Sequence, residues 1–398
     1  MHSSSKSTAS PQLLFLMAVA CGLCAGCNYI NQPLVHSIAH GLRVSEEQAA
    51  LSVTISQLSY AAGLLLLVPL GDLLERRRLI VTLMGLAAAG LLLCALTDNI
   101  VWFWVGSAVA GVFSVAAQVL VPLVTLLVAR EHAGRAVGVL MTGLLIGIQS
   151  ARSVAGLFSA TAGWSSVYGF TAALMLLVAA ALWFALPAQA ATAGAQGGVA
   201  RYAAGLLSML QLFVATPRLR SRAWMGALSF ASLSVLFSTM ALLLGAAPHS
   251  LSDLQIGLLS LVGVVSALVA KPVGRLADQG REAVTSLVAA LTLVAIWPVV
   301  WLSVYSVTAF ALGLLVLSVA IAAIHISNQS VIFGLPSQVR SRANAVYMTA
   351  YFLGAAGGSA AGVLAWRAGG WMGVCMLGAA LAIGSLLATL WDRRLRSA

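Results

Sequence analysis

The sequence predicts an all-α membrane protein whose twelve transmembrane helices form two parallel six-helix repeats. Three observations predict it. Apolar runs of about twenty residues recur along the whole chain, the length an α-helix needs to cross the hydrocarbon layer. The basic residues fall on one side of the alternation that those runs define. A shift of 207 residues lays the second half of the chain over the first.

Of the 398 residues, 61% are hydrophobic and only 8% are charged. The apolar runs are continuous rather than alternating, so they read as helices and not as barrel strands. They cover about 12–35, 49–70, 79–97, 100–129, 136–159, 167–187, 223–246, 256–273, 283–304, 307–331, 343–366 and 371–391, numbered here as spans 1 to 12. No stretch between them is long enough for a soluble domain. The longest, 188–222, is an Ala/Gly-rich linker that ends in the basic run RLRSR. The expected organisation is an N-terminal bundle over 1–187, a cytoplasmic linker over 188–222 and a C-terminal bundle over 223–398.

The net charge of +11 is a topology signal rather than a nucleic-acid surface. With the N-terminus placed in the cytoplasm, the cytoplasmic loops collect the Arg76–Arg78 cluster, Arg130, Arg135, Arg218, Arg220, Arg222, Lys271, Arg275 and Arg281. Only Arg43 and Arg367 fall outside, and Arg152 lies within a span. That asymmetry is the positive-inside rule, and one missed span would scramble it. Both termini are therefore expected in the cytoplasm, in a bacterial inner (plasma) membrane, with no nucleic-acid partner.

Two features near the start invite other readings. LCAGC ends an apolar stretch as a lipoprotein signal does, but Cys24 stands three before Cys27 where leucine is expected, and eleven spans follow. A retained first helix is the better reading. Cys21, Cys24 and Cys27 have a CxxCxxC spacing, yet it falls mid-span with no fourth ligand nearby, so they read as small packing residues and no metal site is expected.

The repeat supports the halves. Ser45, Gln48 and Leu51 map onto Ser252, Gln255 and Leu258; RAVGVLMTGLLIG (135–147) maps onto RANAVYMTAYFLG (342–354). A repeated unit with an even number of spans gives parallel halves related by an axis along the membrane normal, and transporters built this way hold their solute between the halves near the midplane. Span 5 also carries a small-residue seam, Gly143, Gly147, Ala151 and Ala155, repeated in span 11 as Ala350, Gly354, Gly358 and Gly362. Such seams let helices pack closely.

Polar side chains inside spans are costly and tend to face protein or water. Here they are Asn28, Asn31 and Gln32 in span 1, Gln57 in span 2, Gln118 in span 4, Gln149 and Arg152 in span 5, and His325, Asn328 and Gln329 in span 10. Spacings of i, i+3 and i+4 put each trio on one helix side. Each serves either as solute contact or as a tie between helices. Arg152 has no acid within twenty residues on either side and sits about 100° off the small-residue seam. A charge at span centre costs about 2.5–3.5 kcal/mol on insertion scales. An anionic or strongly polar solute, the amides of span 1, or free helix carbonyls are the three candidates to offset it, and specificity residue and structural pin are the two readings.

The loop GRLADQGR (274–281) resembles the signature loop G-x-L-A-D-R-x-G-R-R of the major facilitator superfamily, and GDLLERRR (71–78) is a shortened copy with Glu75 where aspartate is usual. With the twelve spans and the duplication, the resemblance covers essentially the whole chain. It implies that spans 1, 4, 7 and 10 border a central cavity, that 2, 5, 8 and 11 flank it, and that 3, 6, 9 and 12 stand outside. It also implies gating by Gly71, Asp72, Glu75 and Arg76 and by Gly274, Arg275, Asp278 and Arg281. Acid–arginine pairs there would tie the two halves on the cytoplasmic face and bias the conformational equilibrium; alternatively, the arginines only anchor topology. The candidate solute contacts are Arg152, Asn28, Asn31, Gln32, Gln57, Gln118, His325, Asn328 and Gln329.

Asp and Glu are absent from span centres, so His325 is the candidate for proton coupling, since histidine as a residue type titrates near neutral pH. Uniport and solute exchange stay open. Without a nucleotide-binding motif, a primary pump is not expected; without a nucleophile or metal constellation, neither is an enzyme or a cofactor. The resemblance to small efflux-type permeases implies export of a small-molecule solute by a monomer in the lipid bilayer. The alternatives are an uptake carrier or uniporter of the same fold, or a non-transporting receptor.

Overall fold

The computed structural model of the chain describes residues 10–129, 132–188, 198–269, 272–273, 275–276 and 279–397. Helices account for its regular structure, with no strand among the described residues. Among the described residues, ten helices are long and apolar enough to cross a membrane, from Pro11–Leu42 to Arg342–Arg396. The last is two spans: Gly369 and Gly370 leave helical geometry, Gly370 with φ of 55°, and the chain turns back there. Span 8 opens with a shorter apolar helix, Asp253–Ser266, which completes the twelve. The span is α-helical over Asp253–Leu259, 7 residues, and 3₁₀ over Ser260–Val269, 10 residues. The longer rise of the 3₁₀ form lets so short a segment reach about 30 Å, the hydrocarbon thickness.

Two boundaries and the linker differ from the sequence expectation. Span 1 continues to Leu42 instead of ending near 35. Two 3₁₀ turns, Cys27–Tyr29 and Gln32–Leu34, interrupt it around Pro33, which has no N–H to donate, and the helix resumes over Val35–Leu42. Span 7 starts at Pro217, six residues before the expected 223. Proline suits a first helical position because its missing N–H would be unsatisfied there anyway. Arg218, Arg220 and Arg222 are thus helical rather than part of the linker. The linker itself contains the helix Gly198–Ala215, whose Leu207, Leu210 and Val214 are exposed and whose Tyr202 hydroxyl donates to Leu66 O at 2.7 Å.

Small residues set the closest packing. A Cβ built on Gly147 would lie 2.2 Å from Gly22 O, and one on Gly143 2.3 Å from Ala18 O, so spans 1 and 5 meet backbone to backbone. The second half repeats the contact: Cβ atoms on Gly354 and Gly358 would lie 2.1 Å from Ala227 O and 2.3 Å from Ala231 O, between spans 11 and 7. Large apolar side chains such as Leu96, Phe184 and Leu364 are left exposed on the outside, as a surface facing lipid requires.

The halves are bonded to each other at the end of the bundle away from the linker. Asp253 of span 8 accepts hydrogen bonds from Ser37 of span 1 and, at 2.6 Å, from Ser159 of span 5. Ser153 donates to Gly257 O at 3.0 Å, Thr54 of span 2 to Ser359 of span 11 at 2.9 Å, and Arg367 pairs with Glu47. Glycines again permit the approach: a Cβ on Gly156 would sit 2.5 Å from Asp253 O, and one on Gly257 2.6 Å from Arg152 O.

Candidate functional site

Arg152 sits in span 5 just below that closed end, and its residue is 2% exposed. Its Nε donates to Gln32 Oε1 at 2.7 Å, and Nη1 donates to Gln149 Oε1 at 2.6 Å and Ile148 O at 3.3 Å. The guanidinium carbon lies 4.6 Å from the ring centre of Tyr29 in the first half and 4.2 Å from that of Phe237 in the second. No carboxylate among the described residues lies within ion-pair distance. Hydrogen bonds to a charged group contribute about 1.5–3 kcal/mol each, and a desolvated cation over a ring about 2. Two good hydrogen bonds and two rings therefore exceed the insertion cost of the charge, so the arginine is stable in place without a ligand. Of the three candidate partners, the structure supplies an amide from span 1 and a helix carbonyl, and adds Gln149 from the arginine's own helix.

The span 1 trio divides its contacts. Asn28 donates to Ser114 Oγ at 2.8 Å and Asn31 to Ser52 Oγ at 2.9 Å, while Tyr168 donates to Asn31 Oδ1 at 2.6 Å. Asn28 and Asn31 thus tie span 1 to spans 4, 2 and 6 of its own half, and Gln32 alone reaches Arg152. The 3₁₀ turns alter the α-helical spacing on which a single shared face depends. Gln57 is buried with Oε1 unpartnered, and Gln118 donates to the Tyr60 hydroxyl at 3.5 Å.

The span 10 trio belongs to a second group. His325 Nδ1 is 2.9 Å from the Tyr347 hydroxyl, to which Asn328 also donates at 3.4 Å. Arg222 Nη1 donates to Asn328 Oδ1 at 3.3 Å and to Ser286 at 3.1 Å, and Nη2 donates to Asp392 at 2.5 Å. His325 is therefore joined through Tyr347 and Asn328 to a buried ion pair between spans 7 and 12. Gln329 donates to Met348 Sδ at 3.6 Å, and its Oε1 is unpartnered.

An aromatic layer lies between the two groups. Tyr60 of the first half meets Phe352 of the second with ring centres 4.5 Å apart; Phe352 meets Phe230 at 5.6 Å, Phe230 stacks on Tyr351 at 4.1 Å, and Tyr351 meets His325 at 4.9 Å.

The expected gating residues pair locally where they are described. Glu75 caps its own helix, accepting from Arg77 N and Arg78 N at 3.2 Å each, and pairs with the Arg78 side chain at 3.4 Å. Arg76 Nε donates to Gly71 O at 2.9 Å. Arg275 and Arg281 are exposed. Gly274, Asp278 and the side chain of Asp72 lie outside the described residues. No group of three or more His, Cys, Asp or Glu placed to hold a metal occurs among the described residues.

Sequence reasoning missed five residues of this arrangement: Asp253 and Asp392 lie at helix ends, Arg222 falls in the expected linker, and Tyr29 and Phe237 were not singled out. One signal was present: Asp253 sits inside the Ser252–Gln255 capping box, the counterpart under the 207-residue shift of Ser45–Gln48 with Glu46.

Comparison with known proteins places this geometry in context. The family model described as Major Facilitator Superfamily matches residues 14–359. An uncharacterized transporter, YgaY, from Escherichia coli O157:H7 is 43% identical over 384 residues, covering 96% of both chains. A probable transporter, SCO4007, from Streptomyces coelicolor is 30% identical over 372 residues, covering 93% of this chain and 85% of its own. Among solved structures, the peptide transporter POT superposes with a TM-score of 0.76 at 14% identity, covering 99% of this chain and 97% of that one.

Proposed function

Because the chain belongs to the Major Facilitator Superfamily, and so is a multi-pass membrane transporter, we propose that it exports a small organic solute by alternating access between its two six-helix halves. The observation that carries this reading is the unequal joining of the halves among the described residues. At the end away from the linker, Asp253, Ser37, Ser159, Thr54 and Ser359 bond across the interface. At the linker end, Glu75 pairs with Arg77 and Arg78 within the first half, and Glu282 with Arg218 and Arg396 within the second.

A small set of such hydrogen bonds is a reversible latch, since each contributes about 0.5–1.5 kcal/mol net. Opening them while the linker end closes would carry a solute past Arg152. The clustering of basic loops assigns the linker end to the cytoplasm of a bacterial inner membrane. The direction rests on the likeness to small efflux-type permeases. Asp72, Asp278, Gly274 and their neighbouring arginines are assigned to closing the linker end, and His325 is assigned to proton coupling.

The test uses proteoliposomes loaded with a pH-sensitive dye and a panel of candidate solutes, comparing the wild type with His325→Gln. Solute-driven proton movement in the wild type that is lost in the variant supports coupled export through His325. Flux without proton movement means uniport or exchange and removes the coupling role. Ligand binding with no flux across sealed vesicles means a receptor and overturns the reading.

A further inference from the structure

We propose that the site at Arg152 takes an organic monoanion, with one carboxylate or sulfonate head on a flat apolar body. The assignment rests on the transport reading above and names its solute class. The guanidinium is already stabilised through Nε and Nη1, while Nη2 has no hydrogen-bond partner among the described residues. The rings of Tyr29 and Phe237 lie 4.6 and 4.2 Å from the guanidinium carbon, and Nη2 is the nitrogen left to meet a solute. A planar cation presenting N–H groups along a fixed edge matches the in-plane lone pairs of a carboxylate or sulfonate.

Charge selects further. The arginine brings one positive charge and pairs with no carboxylate among the described residues, so a monoanion neutralises it. A dianion would leave an excess buried charge, and a cation would face an unscreened one. The aromatic layer supplies the rest of the recognition. Tyr29 and Phe237 lie beside the arginine, and Tyr60, Phe352, Phe230 and Tyr351 form a wall of touching rings contributed by both halves. Flat apolar groups pack on such faces. Because one ring beside Arg152 belongs to each half, an anion bound at its edge is in contact with the surface along which the halves must part.

The experiment measures binding and flux separately, on the full-length protein in nanodiscs and in proteoliposomes. The probes are benzoate, benzenesulfonate, benzamide, benzylammonium and phthalate. Benzoate and benzenesulfonate are expected to bind at least tenfold more tightly than benzamide, with benzylammonium and phthalate weaker still. Arg152→Gln abolishes the preference, and Arg152→Lys keeps only part of it. Equal affinity for benzoate and benzamide in the wild type overturns the proposal, as does absence of saturable binding by both monoanions or an anion preference that survives in Arg152→Gln. The wild-type series decides the matter even if a variant fails to fold. Anion binding without counterflow of labelled benzoate retains the anion site and removes the transport reading; counterflow of neutral or cationic solutes with no anion preference does the reverse.

Discussion

Ser159 Oγ donates to Asp253 Oδ2 at 2.6 Å, and through that bond span 5 of the first half holds span 8 of the second. The same carboxylate oxygen accepts from Ser37, so a single acid fastens two helices of the opposite half. It has this role because Gly156 and Gly257 let the two backbones come close enough for short side chains to reach.

Removing that acid loosens the closed end. Asp253→Ala deletes two hydrogen bonds across the halves, each contributing about 0.5–1.5 kcal/mol net, for a combined effect of about 2 kcal/mol or roughly thirtyfold in the open-to-closed ratio. A cysteine introduced nearby, labelled by a membrane-impermeant thiol reagent from the side away from the linker, reports it. A labelling rate unchanged from the wild-type background would show that the latch lies elsewhere.

The glycine seams predict a sharp positional contrast. Gly354→Ala places a methyl 2.1 Å from the Ala227 carbonyl oxygen, and spans 11 and 7 must separate to admit it. Gly357→Ala, three residues on, meets nothing within 4 Å. The first change is expected to lower the melting temperature of the purified protein by several degrees. The second leaves it within about 0.5 kcal/mol of wild type, or above it, because alanine favours helix.

The pair Arg222–Asp392 is buried on both sides, so breaking it strands a charge. Asp392→Asn is expected to cost about 3–5 kcal/mol, measured by denaturation of the detergent-solubilised protein. The double change Arg222→Met with Asp392→Leu recovers most of that loss, since replacing both ions by apolar groups removes the desolvation cost of each. Failure of the double variant to recover would assign Arg222 mainly to its bonds with Ser286 and Asn328.

Glu75 serves as a helix cap in this arrangement. Glu75→Ala therefore lowers stability by about 1 kcal/mol, and Glu75→Gln, which keeps an acceptor oxygen, by less. Transport rates per folded molecule stay near wild type for both. A large loss of transport in Glu75→Gln with unchanged melting would instead give the acid a role between the halves.

Much of the architecture was legible in the chain itself. Hydropathy, charge asymmetry and the 207-residue repeat gave the spans, the two halves and the seams of spans 5 and 11, because each is a local or periodic property of the sequence. The isolation of Arg152 from acids along the chain was equally plain. Its partners were less accessible. Gln32 is 120 residues from Arg152, and Phe237 comes from the other half. Asp392 meets Arg222 across 170 residues, and Asp253 meets Ser37 across 216. Helical spacing says which side chains share a face; it does not say which helix that face will meet. The span 1 trio makes the same point on a smaller scale, since 3₁₀ turns around Pro33 redirect Asn28 and Asn31 into their own half and leave Gln32 for the arginine. The sequence by itself determined how many helices cross the bilayer, which way the halves run and where a charge is placed among them. The tertiary structure alone decided what each buried polar group touches, because in a low-dielectric interior a polar atom must find a partner from whichever neighbour packing brings within 3 Å or so.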